Sequence, residues 1–310
     1  MDVIRGIQDI PAGLRNAVVT IGNFDGVHLG HQRLLKRLRE DARQENLKTV
    51  VITFDPHPKM ILRPEVRPFY LIATLEEKIA LLSDTGIDAV IIISFTREYA
   101  QKTAEEFVRQ ALWDGLHIHK IVIGHDYTFG KDKEGNEAFL ASFGKKLGFG
   151  VDVINAVGVG DTVISSTAIR EAILGGNVKK AAALLGRPYN ISGPVVHGKH
   201  RGTGLGFPTA NIRPEKVLIP AGGIYAVIAC VRGKRYPGVA NIGINPTFDN
   251  GALSVEVHLL DFRENIYGEK LDILFIDRIR DEIKFPGPSE LALQIAQDIE
   301  QAREILKLHF

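Results

Sequence analysis

Apolar residues in the first half of the chain fall into two kinds of run. Residues 18–21, 49–54, 89–93, 120–123 and 151–157 form short, largely β-branched stretches with no regular polar face, as strands buried on both sides do. Between them, apolar residues recur three and four apart: Leu34, Leu35, Leu38 and Ala42, then Leu75, Ile79 and Leu82. That spacing predicts helices, as do residues 104–113 and 137–147. Thr103-Ala104-Glu105-Glu106 reads as a capping box opening the third. Strands alternating with helices imply right-handed crossovers and a doubly wound parallel sheet.

Past Gly186 the period changes from helical to alternating. Residues 191–196, 224–231, 235–242, 253–259 and 271–275 read as strands separated by Gly, Pro and Asn clusters, the pattern of a small antiparallel barrel. A terminal amphipathic helix over 288–308 places Leu291, Ile295, Ile299, Ala302 and Leu306 on one face, ready to pack on it. The predicted architecture is α/β plus all-β: residues 1–186, then 187–310, with Arg187-Pro188-Tyr189-Asn190 as the linker.

Composition narrows the class. A chain of 310 residues suits two domains, and 45% hydrophobic with 24% charged residues describes an ordinary globular protein. A formal net charge of +1 gives no electrostatic reason to expect a nucleic-acid or membrane partner. The lone cysteine, Cys230, excludes an intramolecular disulfide framework and fits a reducing compartment, the cytoplasm. Met1-Asp2-Val3-Ile4-Arg5-Gly6 lacks the apolar core of a signal peptide, and the run at 89–93 is too short to cross a membrane.

The chemistry-bearing residues gather where predicted strands end, the usual place for ligands in such sheets. Gly22-Asn23-Phe24-Asp25-Gly26-Val27-His28-Leu29-Gly30-His31 follows the first buried run and precedes a helix. Gly22, Gly26 and Gly30 let backbone N–H groups approach a ligand closely, and the helix start favours phosphate. His28 and His31 share one helical face and can donate to a single anion. Two alternatives compete: ordinary polar residues of a βα loop, and zinc ligands, for which no second pair of His or Cys lies at suitable spacing. The 49–54 run ends in Asp55-Pro56-His57-Pro58, and the 120–123 run in Gly124-His125-Asp126-Tyr127. Ser165-Ser166-Thr167 caps another predicted helix, with Arg170 one turn in, where a guanidinium can fork onto phosphate oxygens.

Residues 22–31 resemble the HxGH signature of nucleotidyltransferases, and Ser165-Ser166-Thr167-x-x-Arg170 resembles the SSTxxR motif that accompanies it. GNFDGVHLGH, then FDPHP, then SSTAIR is similar to the adenylyltransferase module of bacterial bifunctional riboflavin kinase/FAD synthetases. The resemblance implies that Gly22, Phe24, Asp25, Gly26, His28, His31, Ser165, Ser166 and Arg170 bind ATP. Of these, His28, His31 and Arg170 would be catalytic. Phe54, Pro56, His57, Pro58 and Asp126 would contact the flavin.

In the second half, residues 197–212 read HGKHRGTGLGFPTANI, a Gly-rich basic loop able to wrap phosphates. It is not a Walker loop, since the Gly-Lys-Ser/Thr ending is missing. Thr209 and Asn211 alternate along an extended segment, so both oxygens can face one Mg²⁺ on ATP phosphates. In Ser254-Val255-Glu256-Val257-His258-Leu259 the alternation is strict, with Glu256 and His258 opposite the apolar face. A carboxylate on a rigid strand beside Mg–ATP can accept the proton of an attacking hydroxyl.

GFPTAN, Asn241-Ile242-Gly243-x-Asn245-Pro246-Thr247-Phe248 and VEVH resemble the riboflavin kinase module. That implies ATP binding by Gly198, Lys199, Gly204, Gly206, Pro208, Thr209 and Asn211, with Thr209 and Asn211 on Mg²⁺ and Glu256 as base. The expected partners are therefore riboflavin, FMN, FAD and ATP. Thr203 stands where the family commonly carries Arg, a change that weakens the kinase step unless Lys199 or Arg201 compensates. Two other readings remain open at this point: a nucleotidyltransferase for another phosphate ester, and a flavin-binding protein with a decayed kinase.

Overall fold

The computed structural model describes the chain except residues 9, 66–67, 161, 199–205 and 245–252. Two compact units emerge, Met1–Phe69 with Ala73–Ser165, and Tyr70–Ile72 with Ser166–Phe310. The division falls before the change of period at Gly186 because helices 166–174 and 178–185 pack together and the second lies on strands of the barrel.

In the first unit, β1 (Asp2–Arg5), β2 (Val18–Ile21), β3 (Thr49–Asp55), β4 (Ala89–Ser94), β5 (Lys120–Gly124) and β6 (Gly150–Ile154) form a six-stranded sheet in the order β1-β4-β3-β2-β5-β6. Every pairing is parallel. The helices are α1 (Leu29–Gln44), α2 (Pro58–Leu62), α3 (Leu75–Asp84), α4 (Ala104–Phe107) and α5 (Glu137–Leu147). Leu35, Leu38, Val18, Val51 and Val90 meet in one core, and Val19, Ile52, Ile91, Leu112 and Ile121 in another. Successive strand residues feed opposite cores, which is why these runs carry no polar face. The Thr103 capping box forms, but α4 passes into a π-helical segment, Val108–Gly115. Edge strand β1 and the short hairpin β7 (Gly158–Val159) and β8 (Thr162–Val163) were not legible as periodic runs.

The second unit opens with α6 (Ser166–Leu174) and α7 (Val178–Leu185). There follow β9 (Tyr189–Val196), β10 (Ala210–Ile212), β11 (Gly223–Val231), β12 (Lys234–Ile244), β13 (Leu253–Leu259) and β14 (Lys270–Arg280). They close an antiparallel barrel in the order β10-β13-β12-β11-β14-β9. On α8 (Pro288–Leu306), Ala302 and Leu306 bury against Ala226, Ile228 and Ile276. The same helix buries Asp298, whose carboxylate takes Nε and Nη2 of Arg280 at 2.8 and 2.6 Å. A paired charge of this kind is expensive to break from one side, about 3–5 kcal/mol.

Candidate active sites

In the first unit the loop between β2 and α1 is held in an uncommon backbone form. Phe24 has φ 48°, Gly26 φ 80° and Val27 φ 39°. For a β-branched residue such a φ is strained, at about 1–3 kcal/mol. Phe24 and Val27 are each only 1% exposed and belong to the α1-side core, so packing enforces the strain. Asp25 is buried too, and its Oδ1 accepts from the Ala73 N–H at 3.2 Å, just before α3. Phe24 and Asp25 thus spend their side chains on the scaffold. What the loop presents is backbone.

His28 is the N-cap of α1, and its Nδ1 accepts from the His31 N–H at 3.3 Å. The two rings stack with centroids 3.6 Å apart and planes 14° apart. A side chain at position 30 would press on the His28 ring at 3.2 Å, so Gly30 is what lets the rings close. Burial, then His28, then Lys78 hold the His31 imidazole well below the ordinary histidine range, so it is neutral. Its Nδ1 is buried without a hydrogen-bond partner among the described residues. Ile164 packs within van der Waals reach of position 30, which places Ser165 one residue from the His28–His31 turn. Arg170, in the second unit, donates from Nε to the Tyr70 carbonyl at 2.6 Å. Along α1 from Leu29 runs a cleft of about 900 Å³, lined by Gln32, Arg33, Lys36 and residues 153–158.

At the end of β3, Phe54 joins an aromatic cluster, whereas beyond it His57 caps α2 through Nδ1 and packs on Phe69 at 4.6 Å. Phe95 lies 5.6 Å from Phe54 edge to face, and Tyr99 lies 6.4 Å away. After β5, Tyr127 stacks on Phe129 at 5.6 Å, while Asp126 is exposed. Burial pushes the Tyr99 and Tyr127 hydroxyls far up, and the Tyr99 oxygen is buried without a partner among the described residues. Sequence reading passed over Phe95, Tyr99 and Phe129 because their ring partners lie far away in the chain, Phe54 for the first two and Phe107 for the third. Lys78 was hidden differently: it is a polar residue on the helix face that Leu75, Ile79 and Leu82 mark as buried.

In the second unit the strand register builds the site. Asn211 and Asn241 both stand opposite Glu256, on β10 and β12 flanking β13. Directly opposed residues share a face. Here it is the outer one, since Val255, Val257, Ala240 and Ile242 fill the interior. The Thr209 hydroxyl lies 3.5 Å from Glu256 Oε2. His258, two residues on, binds the Pro208 carbonyl through Nδ1 at 2.7 Å, so Nδ1 carries the proton and the segment before Thr209 is pinned. A Cβ at Gly198 would collide with the Asn211 amide. A pocket of about 320 Å³ opens beside these residues, lined by Val195, Pro208, Thr209, Ala210, Phe262 and Tyr267. Gly206 is described, with φ 87°. Lys199, Thr203 and Gly204, and the Asn245–Phe248 stretch, lie outside the described residues.

A parallel α/β unit with stacked histidines at a helix start, joined to a six-stranded barrel carrying a carboxylate, a hydroxyl and an amide on one face, defines a two-site phosphate-transfer enzyme. The FAD synthetase family model matches residues 10–168 and the riboflavin kinase model residues 185–306. A bifunctional riboflavin kinase/FMN adenylyltransferase of Haemophilus influenzae is 41% identical over 304 residues, 98% of each chain. That of Escherichia coli K12 is 39% identical over 310 residues, 99% of each. A solved structure from Streptococcus pneumoniae, described as a macrolide-efflux protein, matches with TM-score 0.91 and 36% identity over 98% of this chain and 99% of that one. In the present chain, among the described residues, no helix is long and apolar enough to cross a membrane. The chain belongs to the bifunctional riboflavin kinase/FMN adenylyltransferase family. It phosphorylates riboflavin to FMN with ATP and adenylylates FMN to FAD, releasing pyrophosphate.

Proposed function

We propose a division of labour between the two sites. Residues 1–186 carry adenylyl transfer and residues 187–310 the kinase. At the first site the FMN phosphate attacks the α-phosphorus of ATP. Backbone N–H groups of the Asn23–Gly26 loop, the start of α1 and the His28–His31 pair bind the phosphates and stabilise charge as it builds on phosphorus. Ser165, Ser166 and Arg170 neutralise the departing pyrophosphate, a role that rests on the SSTxxR motif. Phe54, Pro56, Pro58 and Asp126 border the flavin, and the Phe95, Tyr99, Tyr127 and Phe129 rings supply its apolar bed. His57 contributes by shaping that loop.

At the second site Glu256 takes the proton of the ribityl 5′-hydroxyl, whose oxygen attacks the γ-phosphorus, and ADP leaves. Thr209 and Asn211 offer neutral hard oxygens beside that carboxylate. Among the described residues no group of three His, Cys, Asp or Glu forms a cage for a metal. A two-oxygen cradle of Thr209 and Asn211 would hold Mg²⁺. The metal would supply charge neutralisation on the phosphates. Gly198, Lys199, Gly204, Gly206 and Pro208 complete the ATP wrap by resemblance. The lone cysteine, Cys230, supports a place in the reducing cytoplasm.

The observation that carries the kinase assignment is the register that sets Asn211 and Asn241 against Glu256. For the transferase it is the stacked His28–His31 pair at the start of α1. The test is to supply riboflavin, ATP and Mg²⁺, resolve the flavins by chromatography, and repeat with FMN as substrate and with chelator. FMN followed by FAD, both lost on chelation, is expected. FAD formed from FMN in full without divalent metal would show that only the kinase step uses Mg²⁺.

A further inference from the structure

Lys78 has no part in either reaction as set out so far, yet it is a cation only 8% exposed. Burying an ammonium is costly unless oxygens surround it. Here three do: the carbonyls of Asn23 and Phe54 at 3.3 and 3.2 Å and the Thr53 hydroxyl at 3.3 Å. Thr53 in turn donates to the Asn23 carbonyl at 3.2 Å. One ammonium on α3 therefore clasps the strained β2–α1 loop to the end of β3. Packing alone does not call for a charge, since an apolar side chain of similar volume commonly serves as well.

What the charge supplies is direction. It draws the Asn23 carbonyl toward the sheet. Because the peptide is planar and trans, the Phe24 N–H at its other end points away from Lys78. It also bears on the neighbouring imidazole. His31 is faced by His28 from its own turn and by Lys78 from α3, and Lys78 is faced by Asp25 and Asp55.

We propose that Lys78 is a positioning residue for adenylyl transfer, its ammonium holding the Gly22–Gly26 backbone in the form that receives the nucleotide phosphates. The inference rests on the assignment of that loop and of His31 to the transferase site.

The test is Lys78→Met in the full chain, with both reactions and the His31 titration followed, the latter by NMR of labelled histidine assigned through His31→Ala. FAD formation from FMN falls about 100-fold, the size expected of misplaced donors, while riboflavin phosphorylation is unchanged. The His31 midpoint rises toward the ordinary value, because a nearby positive charge is gone. FAD formation within about threefold of wild type, or an unmoved His31 midpoint, overturns the proposal. Should Lys78→Met fail to fold, Thr53→Val decides: it keeps the ammonium and removes one acceptor. It lowers the kcat for FAD about tenfold and leaves the His31 midpoint in place, and an unaltered kcat overturns the proposal. FAD formation surviving in His31→Ala would sink the underlying site assignment instead, which separates the two failures.

Discussion

The two phosphate sites proposed for this chain are made of opposite materials. In the α/β unit the proposed donors are backbone groups of a strained loop and two stacked rings, and the charged side chain nearby, Lys78, faces inward. In the barrel the groups are side chains, Thr209, Asn211 and Glu256, held by pairing across strands. A backbone site depends on φ and ψ, so it is guarded by buried neighbours such as Phe24, Val27 and Asp25. A strand-face site depends on register, and a slip of one residue would turn Glu256 into the barrel interior. One site is vulnerable to repacking beneath it, the other to sliding.

The sharpest break of this contrast comes from Glu256→Gln. Loss of the base should lower riboflavin phosphorylation about 1,000-fold and leave FAD formation from supplied FMN intact. Parallel loss of both would mean that the two sites are not chemically separate. His31→Ala should do the reverse, cutting FAD formation about 100- to 1,000-fold while FMN still accumulates from riboflavin. Gly198→Ala forces the Asn211 amide aside, so the KM for ATP in the kinase step should rise about tenfold with FAD formation unaffected. An unchanged KM would show that Asn211 does not bind through the observed rotamer.

A fourth measurement sharpens the account of His31. Its folded-state pKa lies below the ordinary value, so as pH falls through about 6.5 the unfolded chain takes up a proton that the folded chain refuses. Stability due to a neutral His31 is complete above that pH and drains below it, by about 1.4 kcal/mol per pH unit at most. Denaturant unfolding of wild type against His31→Gln between pH 7 and 5 should show the wild type losing more. Equal losses would mean that His31 titrates normally.

Much of this was readable before any coordinates. Residues 18–21, 49–54 and 120–123 lacked a polar face and became central strands. The alternation through Ser254–Leu259 placed Glu256 and His258 together on the face opposite the buried Val255, Val257 and Leu259. Periodicity works there because burial on a sheet or a helix repeats at a fixed interval. It fails where burial does not repeat: β1 is an edge strand of four residues, and Ala104–Gly115 changes helical type midway. The reading of α8 expected only an apolar face, and Asp298 breaks that expectation because Arg280 on β14 meets it from the barrel.

By itself the sequence determined most of the strands and helices and which loops stand at strand ends, since these are local matters of pattern and spacing. Tertiary structure alone decided what each polar residue in those loops is for. Asp25 and His57 turn to the scaffold, Phe95 and Tyr99 meet Phe54 while Phe129 meets Phe107, and Lys78 arrives beneath Asn23. Those outcomes depend on contacts between residues far apart in the chain, and such contacts leave no periodic trace along it.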